Sequence, residues 1–462
     1  MKDEERMTNG NRVLPIAYRV SRITQHASRI TRHATRGPQP AASIPGPETI
    51  QRRGYPNGMV VLVKENFASP VVVIDGMLRF GSVDVPRERA GLAAFMAEVL
   101  TRGTQRRTFR QIYEEIESVG ATVGVGAGLN VSGFGSKSLA ESLPNMIDIL
   151  ADVLQRPTFP TAEVEKQRGE ILTDLEERAN DTRRMASLTF RELLYPDGHP
   201  YAISGSGYLD TIQALTRDDV ERFYRARVGA QGMIVAIVGA VKAEEAFRQW
   251  EDAFGSWVGA GDPRSALPAA PKLTDVRRKS VDVPGKTQSD VILGFVGPAR
   301  AAPDYYPAAL CNTVLGVFGL NGRVGAKVRV KGGMAYYAYS SLEGGFGPGA
   351  WNVSAGVHPS KIDRALELIR TEIKRIHDTK VPAAELADNK AFITGSLPLR
   401  LETNDGVADQ ITNMELYGLG LDYLQKYADR VNAITAQQVQ AAAQKYLDSD
   451  AYALAVAGPT NL

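Results

Sequence analysis

The strongest constraint on this fold is that the chain repeats itself. Tyr208, Asp210, Ile212, Ala214, Leu215, Thr216, Val220 and Gly239 recur as Tyr427, Asp429, Val431, Ala433, Ile434, Thr435, Val439 and Gly458, each 219 residues on and without a gap. A series of matched positions at one offset predicts a duplicated structural unit rather than two unrelated amphipathic helices. Thr216 and Thr435 each stand where a helix begins, because a threonine hydroxyl can accept one of the backbone N–H groups left unpaired in the first turn. In both copies an apolar run follows the helix, Ile234–Val238 and Ala453–Ala457, and reads as a buried strand.

The remaining pattern is compatible with two halves of mixed strand and helix. Met59–Val63 and Val71–Phe80 read as strands, Gly91–Leu100 and Phe109–Val119 as helices. Ala121–Val125 and Asn130–Phe134 form an expected hairpin, followed by helices over Leu139–Leu154 and Thr161–Ala179. This order predicts an α+β fold rather than a doubly wound parallel sheet. The expected organisation is a basic tail over residues 1–46, a first domain over 47–258, a Gly/Pro/Ala-rich linker over 259–273 and a second domain over 274–462.

Charge divides the chain in the same way. Residues 1–46 carry eight basic and three acidic side chains, against 46 and 49 in the rest, so a net charge of +2 conceals a mildly acidic body. That balance argues against nucleic acid as a partner. Cys311 is the only cysteine, which excludes an intrachain disulfide framework and any cysteine-rich metal site. No segment has the roughly 18–20 apolar residues of a membrane span. The basic N-terminal stretch is not followed by an apolar run, so a cytoplasmic location is expected.

Three groups of residues carry a family resemblance over about residues 48–462. They are Gly81-Ser82 with Gly91-Leu92-Ala93 and Arg102-Gly103-Thr104; His199-Pro200-Tyr201 with Gly205 and Leu215-Thr216; and Gly319–Arg323 with Arg329 and Gly333-Met334-Ala335-Tyr336. Their order resembles the pitrilysin/insulinase zinc metallopeptidases, in the shorter two-domain form of the processing-peptidase subunits. The resemblance implies two homologous metallopeptidase-like α/β-roll domains.

Such enzymes hold zinc with H-x-x-E-H. Two histidines four apart share one helical face and can ligate one ion, and the glutamate serves as general base on the bound water. Placed by its flanking residues, the motif falls here on Ala94, Ala97 and Glu98, and the distal ligand falls on Asp174. A methyl group neither ligates zinc nor accepts a proton, and two carboxylates alone make a poor cation site. The body has only His199, His358 and His377, none spaced to form the motif. No metal cofactor is expected in this chain, and it should not hydrolyse peptides alone by the family's mechanism.

The resemblance further implies that the second half of such proteins contributes an arginine and a tyrosine to an active site. Here they fall on Arg329 and Tyr336. A phenol O–H can donate to a developing oxyanion, and a guanidinium can fix a substrate carbonyl. A lost zinc motif beside a kept Arg/Tyr pair resembles the non-catalytic partner of a heterodimeric peptidase. The expected partners are a homologous subunit that carries H-x-x-E-H and the zinc, and an unfolded peptide substrate. The alternative is a structural or peptide-binding scaffold with no catalytic contribution. Two lesser expectations concern loops and edges. Gly344–Gly349 could contact substrate as a mobile loop, and Val131–Ser136 could be an edge strand that accepts a peptide.

Overall fold

Eleven strands among the described residues pair into two sheets whose order repeats. The strands are β1 (Gln51–Gly54), β2 (Val60–Glu65), β3 (Val71–Leu78), β4 (Thr122–Ala127), β5 (Ser132–Leu139), β6 (Ile234–Gly239), β7 (Arg277–Asp282), β8 (Ser289–Val296), β9 (Ala335–Leu342), β10 (Ala350–Val357) and β11 (Ala453–Gly458). The first sheet runs β1-β2-β6-β3-β5-β4 and the second β7-β11-β8-β10-β9. Without β1 the two orders coincide strand for strand. In each, only one pair is parallel, β2 with β6 and β7 with β11. The duplication seen at the ends of the halves thus extends through the whole sheet, and the fold is α+β as expected. In this computed structural model the described residues are 44–259, 266–317 and 322–459. Most of the basic tail, part of the linker and part of the glycine-rich stretch Gly316–Gly322 lie outside them.

Six helices carry or support the candidate site residues: α1 (Leu92–Val99), α2 (Thr161–Ala179), α3 (Thr182–Leu194), α4 (Arg217–Arg227), α5 (Asn404–Leu416) and α6 (Ala436–Tyr446). The duplicated threonines cap as their chemistry requires. Thr216 Oγ1 accepts from the Asp219 amide at 3.2 Å while Asp219 accepts from the Thr216 amide at 2.9 Å. Thr435 and Gln438 make the same reciprocal pair at 3.2 and 2.8 Å. Each pair satisfies two otherwise unpaired donors and fixes the start of α4 or α6.

The halves exchange helices. Ala186, Phe190 and Leu194 of α3, a first-half helix, pack on Ile292, Val296, Ala453 and Ala455 of the second sheet. Reciprocally, Val407, Ala408, Ile411 and Met414 of α5 pack on Leu62, Val73, Ala236 and Val238 of the first. The central strands are consequently covered on both faces, which explains why β6 and β11 read as continuous apolar runs. From Ala266 onward the linker stretch packs as well: Leu267, Ala270 and Leu273 join the core around α3.

One expectation needs correction. Val131–Ser136 is not an edge. Most of it belongs to β5, which pairs with β3 on one side and β4 on the other. The edge is β4, because the hairpin folds its first strand outward. β5 also runs on to Leu139, opposite Val71, so the next helix starts at Leu143 rather than Leu139. Among the described residues no helix is long and apolar enough to cross a membrane.

Candidate functional site

Gly91 opens α1 from a left-handed conformation, φ 93°, where a Cβ would meet the Gly207 backbone and Ile212. The helix then buries Leu92, Ala93, Phe95, Met96, Ala97 and Val99 in the first-half core. Ala94 and Glu98, four residues apart, share the face left partly open. The neighbouring α2 brings Gln167, Glu170 and Asp174 to the same region.

An internal network occupies this region. Gln167 Nε2 donates to Glu98 Oε2 at 2.6 Å. Arg102 donates to Gln167 Oε1 and, at 2.8 Å, to Glu170 Oε2. Asp174 is turned to Arg184, which donates to both its oxygens at 3.2 and 2.6 Å. The cation between α1 and α2 is therefore a guanidinium. The residues present do not fit a zinc ion: two positions are methyl groups, one carboxylate is held by an amide and the other is salt-bridged. The histidines have other work. His199 is buried, takes the Tyr201 amide on Nδ1 at 3.0 Å and lies 3.2 Å from the Pro268 carbonyl through Nε2. His358 caps a short turn, and His377 contacts Asp378. Among the described residues no three His, Cys, Asp or Glu side chains gather as a metal site. Cys311 is fully buried, and burial pushes its thiol pKa up, away from reactivity.

Glu98 retains a titratable character. Burial raises its pKa to about 7, with Arg102 opposing the rise and Asp174 and Glu170 adding to it. The folded chain thus binds the proton more tightly than the unfolded chain, whose glutamate titrates near 4.5. Stability attributable to this group is full below pH 4.5 and falls as pH rises through about 7. Glu98→Gln, which keeps an acceptor for Gln167, should flatten this slope and raise the melting temperature at pH 8 but not at pH 4. An unchanged slope would show that Glu98 is solvated like an ordinary glutamate.

Arg329 and Tyr336 are differently placed. Arg329 lies in a π-helical segment, Gly325–Lys331, and is exposed. The chain then turns at Gly333, φ 56°, into β9, the free edge of the second sheet. Tyr336 is 72% exposed there. Its neighbours are engaged: the Tyr337 hydroxyl bonds Asp290, and Arg183 donates to the Tyr339 hydroxyl at 2.5 Å. Among the described residues the Arg329 guanidinium and Tyr336 hydroxyl make no hydrogen bond or ion pair. Their polar atoms are free to meet something outside the chain.

The loop Gly344–Gly349 is pinned at several points. The Gly347 amide donates to Tyr201 Oη at 3.1 Å, Tyr195 Oη donates to the Pro348 carbonyl, and the Arg300 amide donates to the Gly345 carbonyl. Its glycines allow close approach, since a Cβ on Gly344 would come within 2.5 Å of the Tyr305 hydroxyl. Reasoning from sequence missed Arg102, which sits in the motif that placed Ala94 and Glu98. It also missed Arg183 and Arg191 of α3. The eight-residue spacing of these two arginines, with Ser187 between them, was the available signal for a shared helical face.

Comparison with known proteins identifies the family. Residues 60–194 match the model of the insulinase family, peptidase family M16, and residues 214–392 match the peptidase M16 inactive domain. An uncharacterized zinc protease of Streptomyces coelicolor is 28% identical over 423 residues, covering 89% of this chain and 90% of that protein. A probable mitochondrial-processing peptidase subunit beta of Arabidopsis thaliana is 24% identical over 419 residues, 87% of this chain and 77% of the relative. Among solved structures, a peptidase M16 inactive domain from Pseudomonas fluorescens superposes with a TM-score of 0.83 at 23% identity, over 89% of this chain and 98% of that one. The chain belongs to the insulinase (M16) peptidase family, and its second half matches that family's inactive domain.

Proposed function

We propose that this protein is the non-catalytic subunit of a heterodimeric zinc peptidase and lends Arg329 and Tyr336 to the active site of a homologous, H-x-x-E-H-bearing subunit. The zinc and the general base belong to that partner, and the substrate is an unfolded peptide. The observation that carries this reading is a contrast within one chain. The helix pair α1/α2 is closed by its own Arg102 network, whereas the side chains of Arg329, in Gly325–Lys331, and Tyr336, on the edge strand β9, are exposed and make no hydrogen bond or ion pair among the described residues. An exposed phenol without an internal partner has no evident structural task. At a partner's zinc site it would donate to the oxyanion of the scissile carbonyl.

The test is to mix the purified chain with a zinc-motif homologue from the same genome. A stable heterodimer on size exclusion, with peptide cleavage well above that of either chain alone, is the expected result. Assembly with no change in turnover would instead favour a scaffold of the same fold.

A further inference from the structure

A second polar site lies where α3 crosses the second sheet. Arg183, Ser187 and Arg191 on α3 and Tyr339, Ser341, Glu343, Asn352 and Ser354 below them enclose a cavity of about 180 Å³, with Phe190 and Ile292 as its apolar wall. That is several times the roughly 30 Å³ that a water molecule occupies in the liquid. Arg183 and Ser187 are exposed, so the opening is on the α3 side.

The donors in this cavity outnumber its acceptors. Arg191 pairs with Glu343, yet its Nη1 is buried without a hydrogen-bond partner. Asn352 Oδ1 accepts from Ser341 Oγ at 3.2 Å and Ser354 Oγ at 3.1 Å, and its amide N–H groups make no hydrogen bond among the described residues. Ser187 Oγ makes no hydrogen bond among the described residues. The charged groups are Arg183, Arg191 and Glu343, with Asp290 beneath Arg183 already holding Thr182 and Tyr337. An uncompensated guanidinium N–H, a free amide and a hydroxyl form a donor set suited to an oxyanion.

We propose that this cavity binds a carboxylate, and that its source is the C-terminal end of a peptide lying along β9. Tyr339 is three residues beyond Tyr336 on the same strand, roughly 10 Å at about 3.3 Å per residue. The odd spacing puts the two side chains on opposite faces, so a peptide added edge-on to β9, in the plane of the sheet, can pass Tyr336 and end beside the cavity. The peptide source rests on the proposed function, whereas the oxyanion site does not.

The test uses the full chain alone, with no partner, so failure of the heterodimer reading would leave it intact. A short unstructured peptide with a free C-terminus, the same peptide as its C-terminal amide, and inorganic phosphate are titrated by calorimetry. The free acid should bind about tenfold or more tightly than the amide, a difference of about 1.4 kcal/mol. Arg191→Met combined with Glu343→Met removes the ion pair without stranding a charge and should abolish the preference. Ser187→Trp, on the exposed rim, should do the same by filling the cavity, which guards against a folding defect in the first variant. Phosphate that competes with the acid peptide and is lost in both variants supports the oxyanion site. Phosphate binding with no binding of the acid peptide overturns the peptide source. Equal binding of acid and amide, or binding unchanged in both variants, overturns the proposal.

Discussion

Tyr336→Phe should reduce the peptidase activity of the assembled heterodimer by about 10²–10³ in kcat, the usual effect of removing one oxyanion donor. The substitution removes a single exposed hydroxyl with no partner among the described residues, so neither the melting temperature nor assembly should change. KM should move little, because the bond forms only as charge develops on the carbonyl. Arg329→Ala should cause a loss of similar order with a larger share in KM, since a guanidinium that fixes a substrate carbonyl acts in the ground state too. Lysine should not rescue it, because an ammonium lacks the planar fork. Unchanged kcat/KM in both variants would remove the pair from the mechanism.

The second large effect is on stability. Phe190→Ala should destabilise the chain by about 3–5 kcal/mol, as expected for an aromatic side chain deleted from a packed core. Phe190 belongs to α3 in the first half, but it is buried against Ile292, Val296 and Ala455 of the second sheet. Because α5 returns the exchange, the loss should appear in one cooperative transition. Calorimetry showing two transitions, only one of them shifted, would mean that the halves unfold independently and that the exchange contributes little.

That exchange is where the sequence was least legible. The offset of 219 residues was visible because capping threonines and apolar strands hold their spacing under local physical rules. Which sheet α3 covers is a nonlocal outcome. Ala186, Phe190 and Leu194 mark an apolar face and say nothing of its partner. The edge strand failed for a related reason. Both arms of the hairpin are small and glycine-rich, Thr122–Ala127 and Ser132–Leu139, so their composition does not reveal which lies outside.

The candidate site was legible in the opposite sense. Ala94 and Ala97 carry only methyl groups, so their identity alone says that neither side chain ligates zinc or accepts a proton. The polar network beside them was not readable. Arg102 lies more than 60 residues from Gln167 and Glu170, and their bonds depend on how α1 meets α2. Likewise the family resemblance pointed to Arg329 and Tyr336, but Tyr336 is distinguished from Tyr337 and Tyr339 only by exposure. The latter two are held by Asp290 and Arg183.

We propose that this chain holds no zinc of its own and works through another subunit's. The most direct measurement is the zinc content of the purified single chain by mass spectrometry, taken with its peptidase activity before and after chelation. Substoichiometric zinc, no chelator-sensitive cleavage and an unchanged melting temperature in chelator are the expected results. One tightly held zinc per chain, with cleavage abolished by chelation, would contradict it.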